Sequence, residues 1–318
     1  MEREAASKFA DFLAKYGKKK LAIATHSRAD ADGLSSAFAL SRHLPGSVIC
    51  SSEEPGEGAS MLAEKLGIGL KQISSLSKKD FEGLIVVDTS AYTLLPEARG
   101  WKLLLIIDHH RADGRDMKGE FAVIDENAPS SAEIMANMLP KLDRETAFGL
   151  AVGIISDAAR FKSARADTFE TLARLMKGWK LDYAELLSYA EPEAKAEAKI
   201  AMLKAMQRVQ FVYGGGCLVA TSEVGGNESD AASLISEAAD VAFVAKWKDQ
   251  EKETRISARA AKHVTIPLNK VMGEVAKTLG GAGGGHAKAA GASLKAHTDE
   301  ALKECVDTFI RIAEREKK

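Results

Sequence analysis

The first half of the chain alternates short, uniformly apolar runs with segments in which apolar residues recur at helical spacing. The runs that look like buried strands are LAIAT at 21–25, VIC at 48–50, LIVVD at 84–88 and LLLIID at 103–108. Strands that are apolar on both faces and separated by helices are typical of a parallel sheet that is covered on both faces. The pattern therefore predicts an α/β domain built on a parallel sheet.

Helical segments dominate from about 130 to 212, and the composition changes at the glycines of 214–216. A second series of strands and helices then follows, and it includes the glycine-rich stretch GGAGGGH, which we expect to be a loop. A chain of this length usually holds two domains. We predict a first domain at 1–190, a helical linker at 191–213 and a smaller α/β domain at 214–318, with a cleft between the domains.

The composition of the chain disfavours several classes of function. The formal net charge of −1 gives no overall basic surface of the kind that binds long nucleic acids, so small substrates are favoured. The three cysteines are far apart and form no CxxC pair, which disfavours a zinc or disulfide framework. No window approaches about 18 uncharged apolar residues, and the N-terminus has no signal-peptide core. We therefore expect a cytoplasmic protein with no membrane partner.

Carboxylates and histidines follow the predicted strands at their carboxyl ends, where ligands bind in parallel α/β sheets. Each residue alone has a structural explanation, since a lone Asp after a strand is usually a helix cap or a turn former. Four such features along one chain are better explained by a single shared site. The residues concerned are His26, Asp30 and Asp32, then Asp88, then Asp108, His109 and His110, and finally Asp157 in GIISDAARF.

This set of side chains suits a pair of divalent cations. Aspartate oxygens with one histidine per ion favour Mn²⁺, with Mg²⁺ or Co²⁺ as alternatives. Two ions about 3.5–4 Å apart clamp a phosphate and lower the pKa of a water between them. The sequence therefore predicts a two-metal phosphoesterase.

The same residues resemble the DHH family of phosphoesterases. The motif that gives the family its name stands at Asp108-His109-His110, and an HxxxDxDxxxS motif begins at His26 and ends at Ser36. VVDTS and SDAARF supply the motifs around Asp88 and Asp157, while ISARA (256–260) and GGGHAKAAG (283–291) resemble the DHH-associated C-terminal domain. The chain departs from many members at Ala29, where they carry proline, and at Ala158, where they carry threonine.

The resemblance implies a role for each residue. The metal ligands would be His26 and Asp30 for one ion, Asp32, His109 and Asp157 for the other, and Asp88 for both. Asp108 would orient a ligating imidazole, and His110 would face the scissile phosphate. In the second domain, a terminal phosphate would be held by Arg259, by His286 and by the backbone amides of Gly283, Gly284 and Gly285. The alternative for the glycine run is a flexible linker.

The resemblance leaves several substrates open. Stepwise hydrolysis of short single-stranded RNA or DNA, as by an oligoribonuclease, is favoured. The alternatives are a single-strand DNA exonuclease in repair, a phosphatase of 3′-phosphoadenosine 5′-phosphate and a cyclic dinucleotide phosphodiesterase. A non-catalytic replication or repair scaffold is disfavoured because all six implied metal ligands are present. Homodimer formation and a DNA-repair partner protein stay open, and Phe161 fits a base-stacking role and a core position equally well.

Overall fold

A computed structural model describes residues 3–27, 29–110, 114–158 and 161–316. The chain separates into two compact units, Met1–Glu193 and Ala194–Lys318. Each unit is an α/β structure with its own six-stranded sheet. The predicted fold class, a parallel-sheet domain followed by a smaller α/β domain, is confirmed.

The first unit contains one parallel sheet of six strands in the order β3-β2-β1-β4-β5-β6. Its central strands are fully buried, which explains their uniformly apolar sequences. One face packs against helices of this unit, and the other packs against loop and short-turn residues such as Ile73, Leu95 and Trp101. The strands are β1 Leu21–Ala24, β2 Val48–Ser51, β3 Lys71–Gln72, β4 Gly83–Val87, β5 Leu103–Asp108 and β6 Phe121–Ile124.

The helices of this unit are α1 Arg3–Tyr16, α2 Ala31–Ser41, α3 Glu57–Leu66, α4 Ser131–Met138, α5 Arg144–Asp157, α6 Ala166–Trp179 and α7 Tyr183–Ala190. Four of them begin at an acidic or hydroxyl side chain that accepts a backbone N–H of the first turn. Asp30 caps α2, Ser130 caps α4, Asp143 caps α5 and Asp182 caps α7. Such caps satisfy N–H groups that have no partner inside the helix.

The strand order of the first sheet reverses direction between β1 and β4. Chain connections leave this point toward opposite edges of the sheet, so a crevice opens at the carboxyl ends of these two strands. The loops that follow β1, β4 and β5 carry His26, Asp30, Asp88, His109 and His110. The other predicted residues lie in helices or at a strand end: Asp32 in α2, Asp108 at the end of β5 and Asp157 at the end of α5. The topology therefore brings distant segments of the chain to one edge.

The second unit has a mixed sheet in the order β11-β12-β10-β9-β8-β7, in which only β8 and β9 pair in parallel. Helices α10 and α11 pack on this sheet around a core that contains Phe243 and Phe309. The elements are α8 Ala196–Gln207, β7 Gln210–Gly214, β8 Cys217–Glu223, α9 Glu228–Ile235, β9 Val241–Lys248, β10 Glu253–Ala260, α10 Leu268–Leu279, β11 Gly281–Gly285, β12 Ala289–Leu294 and α11 Thr298–Glu316.

The glycine-rich stretch that the sequence predicted to be a loop is the edge strand β11, paired antiparallel with β12. Close packing explains the difference. A Cβ at Gly283 would lie 2.2 Å from the carbonyl oxygen of Met272 in α10, and one at Gly281 would lie 2.0 Å from that of Ser293. Only glycine allows backbone to approach this closely.

Within the described ranges, every helix is too short or too polar to cross a lipid bilayer.

Candidate metal centre

Asp88 follows the last residue of β4, and its backbone lies in the left-handed region with φ of +64°. Its side chain is 2% exposed, and its two carboxylate oxygens point in different directions. Oδ1 lies 3.4 Å from Nε2 of His109, whereas Oδ2 lies 3.5 Å from Nε2 of His26. One carboxylate thus faces two imidazoles that come from different loops.

His26 stands in the loop after β1, beside Asp30. Its Nε2 lies 3.3 Å from Oδ2 of Asp30, while Oδ1 of Asp30 accepts the backbone N–H of Gly33 and caps α2. His26, Asp30 and Asp88 each offer one ligand atom, and these atoms lie within 4.8 Å of one another. The helix cap therefore holds Asp30 with one oxygen left facing the imidazole.

The second group joins Asp32 from the first turn of α2, His109 from the end of β5 and Asp157 from the last turn of α5. Nε2 of His109 lies 3.2 Å from Oδ2 of Asp157 and 3.9 Å from Oδ2 of Asp32. The ligand atoms of these three residues also lie within 4.8 Å of one another. The structure thus brings together all six side chains that the resemblance assigns to metal binding.

His109 supplies a test of whether this arrangement fits a cation. Its Nδ1 lies 3.3 Å from the carbonyl oxygen of Ala128, which accepts a hydrogen bond from a ring protonated at that nitrogen. Its Nε2 is buried and makes no hydrogen bond within the described part of the chain. A buried ring nitrogen that faces several carboxylates without a hydrogen bond is placed as metal-ligating imidazoles are. The residues present fit a divalent cation.

The charges of the group agree with this reading. Burial raises the pKa of Asp32, and the charges of Asp88 and Asp157 raise it further. Burial and the charge of Asp88 raise the pKa of Asp157 to about 6. Burial acts in the opposite direction on His109, but its acidic neighbours outweigh burial and raise its pKa to about 9. Carboxylates this crowded repel one another, and a bound cation relieves that repulsion.

Asp108, which the resemblance predicts to orient a ligating imidazole, contacts His110. Its Oδ1 lies 2.8 Å from Nδ1 of His110 and accepts the backbone N–H of the same residue at 3.1 Å. Its Oδ2 accepts a hydrogen bond from Ser90. Residues 108 and 110 lie two positions apart at the end of a strand, where alternate side chains point to the same side.

Sequence reasoning missed the N-terminus of α4. The backbone N–H groups of Ser131 and Ala132 each donate to one oxygen of Asp32, both at 2.7 Å, and Oγ of Ser131 donates to Oδ1 of Asp88 at 3.1 Å. The serine pair at 130–131 signals a helix start, but no local pattern shows which residues its donors meet. These contacts join segments that are 43 to 100 positions apart.

The residues predicted to bind phosphate lie in the second unit. Arg259 is on β10, and its guanidinium donates to the hydroxyls of Ser229 and Ser233 in α9 at 2.7 and 3.2 Å. Its register partner is Ala289, whose carbonyl accepts the backbone N–H of His286. Arg259 and the turn after the glycine strand therefore share one end of this sheet. His286 and the three glycines are exposed.

Phe161 packs partly buried against the core of the first unit, and its ring stacks on that of Phe169 with centroids 5.2 Å apart. The ring of Phe169 is 51% exposed. One face of the Phe161 ring is therefore covered by Phe169. This contact supports the core position over the base-stacking role.

The fold and the site define a class of α/β proteins with acidic and histidine side chains gathered at the switch point of a parallel sheet. Residues 20–154 match the family model of the DHH family N-terminal domain, and residues 217–315 match that of the DHHA1 domain. The chain belongs to the DHH family of phosphoesterases.

The chain is also similar to individual proteins and solved structures. The uncharacterized protein MJ0988 of Methanocaldococcus jannaschii is 32% identical over 221 residues, which cover 66% of this chain and 66% of that protein, just under two thirds of its length. A crystal structure of an exopolyphosphatase-related protein from Bacteroides fragilis has a TM-score of 0.80 at 14% identity and covers 100% of this chain and 98% of that one. The DHH domain of a member of the s1p family of ribosomal proteins has a TM-score of 0.59 at 13% identity, covering 97% and 92% of the two chains. The two structural likenesses show a shared fold.

Proposed function

We propose that this phosphoesterase is a two-metal phosphodiesterase that hydrolyses short single-stranded oligonucleotides. The observation that carries the proposal is the orientation of the Asp88 carboxylate. Its Oδ1 faces His109 and its Oδ2 faces His26. A carboxylate shared in this way is what a pair of neighbouring cations requires. A single ion would need only one of the two sets of side chains, either the set that contains His26 or the set that contains His109.

The side chains divide into two sets of ligands around that shared residue. His26 and Asp30 would hold one ion, and Asp32, His109 and Asp157 would hold the other. Two divalent cations, with Mn²⁺ favoured over Mg²⁺ or Co²⁺, would polarise a phosphate and lower the pKa of a bound water. The protein would contribute fixed positions for the phosphate and its leaving group, without a covalent intermediate.

His110 would act on the phosphate itself. Its hydrogen bond to Asp108 raises the pKa of His110 above its ordinary value, and its side chain is 51% exposed. Asp108 is held in turn by Ser90, so the imidazole has a fixed orientation. A protonated ring in this position would stabilise charge that develops on the phosphate or give its proton to the leaving oxygen.

The second unit would select the substrate. Arg259 carries a guanidinium suited to a terminal phosphate, and α9 hydroxyls hold it in place. His286 and the amides of Gly283, Gly284 and Gly285 would complete this phosphate site. A formal net charge of −1 provides no broad basic surface for a long strand, which favours short RNA or DNA.

The test is product mapping on end-labelled RNA and DNA of graded length, from dinucleotides to long strands, with Mn²⁺ present. We expect hydrolysis that is fastest for the shortest strands and that a chelator abolishes. Equal rates on long single-stranded DNA would favour an exonuclease, and cleavage of 3′-phosphoadenosine 5′-phosphate or cyclic dinucleotides alone would replace the proposed substrate. Folded, Mn²⁺-loaded protein that cleaves none of these would indicate a scaffold.

A further inference from the structure

Ser131 is the first residue of α4, and it contacts two of the acidic residues described above. Its backbone N–H donates to Oδ2 of Asp32 at 2.7 Å. Its hydroxyl donates to Oδ1 of Asp88 at 3.1 Å. All three residues are buried, with Ser131 at 0% exposure. One residue therefore touches a carboxylate from the first turn of α2 and another from the loop after β4.

We propose that Ser131 is a positioning residue that fixes Asp32 and Asp88 relative to each other and so sets the affinity of the centre for its cations. The inference rests on the proposed function, because it assumes that these two carboxylates are ligands. Ser131 itself would touch neither cation nor substrate. Its role would be to hold two side chains at the spacing that a pair of ions needs.

The contact with Asp32 fixes that carboxylate at both oxygens. Oδ1 accepts the N–H of Ala132 and Oδ2 accepts the N–H of Ser131, both at 2.7 Å. Two adjacent amides at a helix N-terminus favour a negative charge there. Each carboxylate oxygen still has a further lone pair to offer a cation. Asp32 is thus anchored to α4 without losing its capacity to bind metal.

The contact with Asp88 fixes the rotation of the other carboxylate. The terminal torsion of an aspartate is broad and has no strong preference of its own. The hydroxyl of Ser131 binds Oδ1, the oxygen that faces His109, and this leaves Oδ2 facing His26. Without the hydroxyl, the carboxylate can turn, and both ligand groups lose the geometry of their shared member.

The neighbouring Ser130 provides a matched control. It has the same side chain, is equally buried at 0% exposure and also stands at the start of α4. Its Oγ accepts the backbone N–H of Glu133 at 3.1 Å and caps the helix. Loss of this cap should lower the melting temperature of the protein. Among the described residues, the side-chain hydrogen bond of Ser130 is made within its own helix. Removal of this hydroxyl therefore shows what a purely structural serine contributes.

The experiment is calorimetric titration of Mn²⁺ into the full chain and into Ser131→Ala and Ser130→Ala, with circular dichroism to verify the fold. We expect Ser131→Ala to weaken Mn²⁺ binding about 10- to 100-fold, the usual effect of losing a residue that orients a ligand. Ser130→Ala should lower the melting temperature and leave the affinity near that of the unmodified protein. Ser131→Thr, which keeps the hydroxyl, should restore most of the affinity.

Equal Mn²⁺ affinity in Ser131→Ala and the unmodified protein would overturn the proposal. If the alanine variant does not fold, Ser131→Cys takes its place, because a thiol has similar size but donates weakly. We expect Ser131→Cys to bind Mn²⁺ more weakly than Ser130→Ala and the unmodified protein. Unaltered Mn²⁺ affinity in Ser131→Cys would contradict the proposal. Absence of Mn²⁺ binding by the unmodified protein is a different outcome, which removes the proposed metal centre as a whole.

Discussion

The backbone of Asp88, in the left-handed region at φ of +64°, holds a conformation that costs an L-residue on the order of 1–3 kcal/mol. Aspartate tolerates this region better than most residues do. From this turn the carboxylate faces both His26 and His109. Strain held by surrounding structure at a single acidic residue is typical of a functional position.

Asp88→Asn keeps the size of this side chain and removes its charge. We expect more than about a 100-fold loss of Mn²⁺ affinity and no measurable turnover, since both ligand groups depend on the same carboxylate. Asp80→Asn, an exposed aspartate before β4, serves as the control and should behave like the unmodified protein. The measurements are metal titration and hydrolysis of a short RNA. Near-normal turnover in Asp88→Asn would contradict the shared role.

The candidate metal ligands could be predicted from the sequence, but the hydrogen-bond donors that hold these side chains in place could not. His26, Asp88 and His109 could be picked out because each follows an apolar strand, and strand ends of a parallel sheet meet at one edge. The donors around them could not. Ser90 and Ser131 meet Asp108 and Asp88 only through tertiary packing, and serine is too common for its type to signal such a contact.

At the scale of elements, α2, α4 and α5 meet at Gly153. A Cβ there would lie 2.4 Å from Oγ of Ser35, 2.9 Å from Cβ of Ala132 and 3.2 Å from Cα of Asp32. The absent side chain lets α5 approach the start of α4 and the first turn of α2. The same approach places Asp157, four residues along α5, beside His109. Helix packing and the position of Asp157, a predicted metal ligand, are therefore linked at this glycine.

Gly153→Ala should destabilise the protein by about 1–3 kcal/mol, because the added methyl overpacks a filled core. It should also weaken Mn²⁺ binding, since Asp32 must move away. The control is Gly178→Ala in α6, where a Cβ meets nothing within 4 Å and helix propensity predicts a gain of up to about 1 kcal/mol. Urea unfolding and metal titration measure both effects. Equal stability of the two variants would show that α5 can shift without cost.

The strands that the sequence pattern predicts differ in burial from those that it does not predict. Strands β1, β4 and β5 are wholly buried and uniformly apolar, so their sequences identified them. Strand β3 has two exposed residues, and β11 consists of four glycines and an alanine. Neither offers an alternation of apolar and polar positions. Their place in a sheet is decided by the neighbouring strand and, for β11, by the close approach of α10.

At the scale of the whole molecule, the predicted metal ligands and the predicted phosphate-binding residues fall in different units. Each unit has a separate core, one around β1, β4 and β5 and the other around β9, β10 and α11. The family models also match the two parts separately, at 20–154 and 217–315. Metal binding and substrate selection should therefore be separable by cutting the chain between residues 193 and 194.

A fragment of residues 1–193 should fold alone, since its core is complete, and should bind Mn²⁺ with the stoichiometry of the full chain. It should hydrolyse short RNA far more slowly, because Arg259 and His286 are absent. Full-length Arg259→Ala is the matched control and should raise KM for short RNA while leaving metal content intact, because its guanidinium lies outside the metal ligands. Metal titration and steady-state kinetics measure both. A folded fragment that binds no Mn²⁺ would place essential ligands in the second unit, and undiminished hydrolysis would remove the second unit from substrate binding.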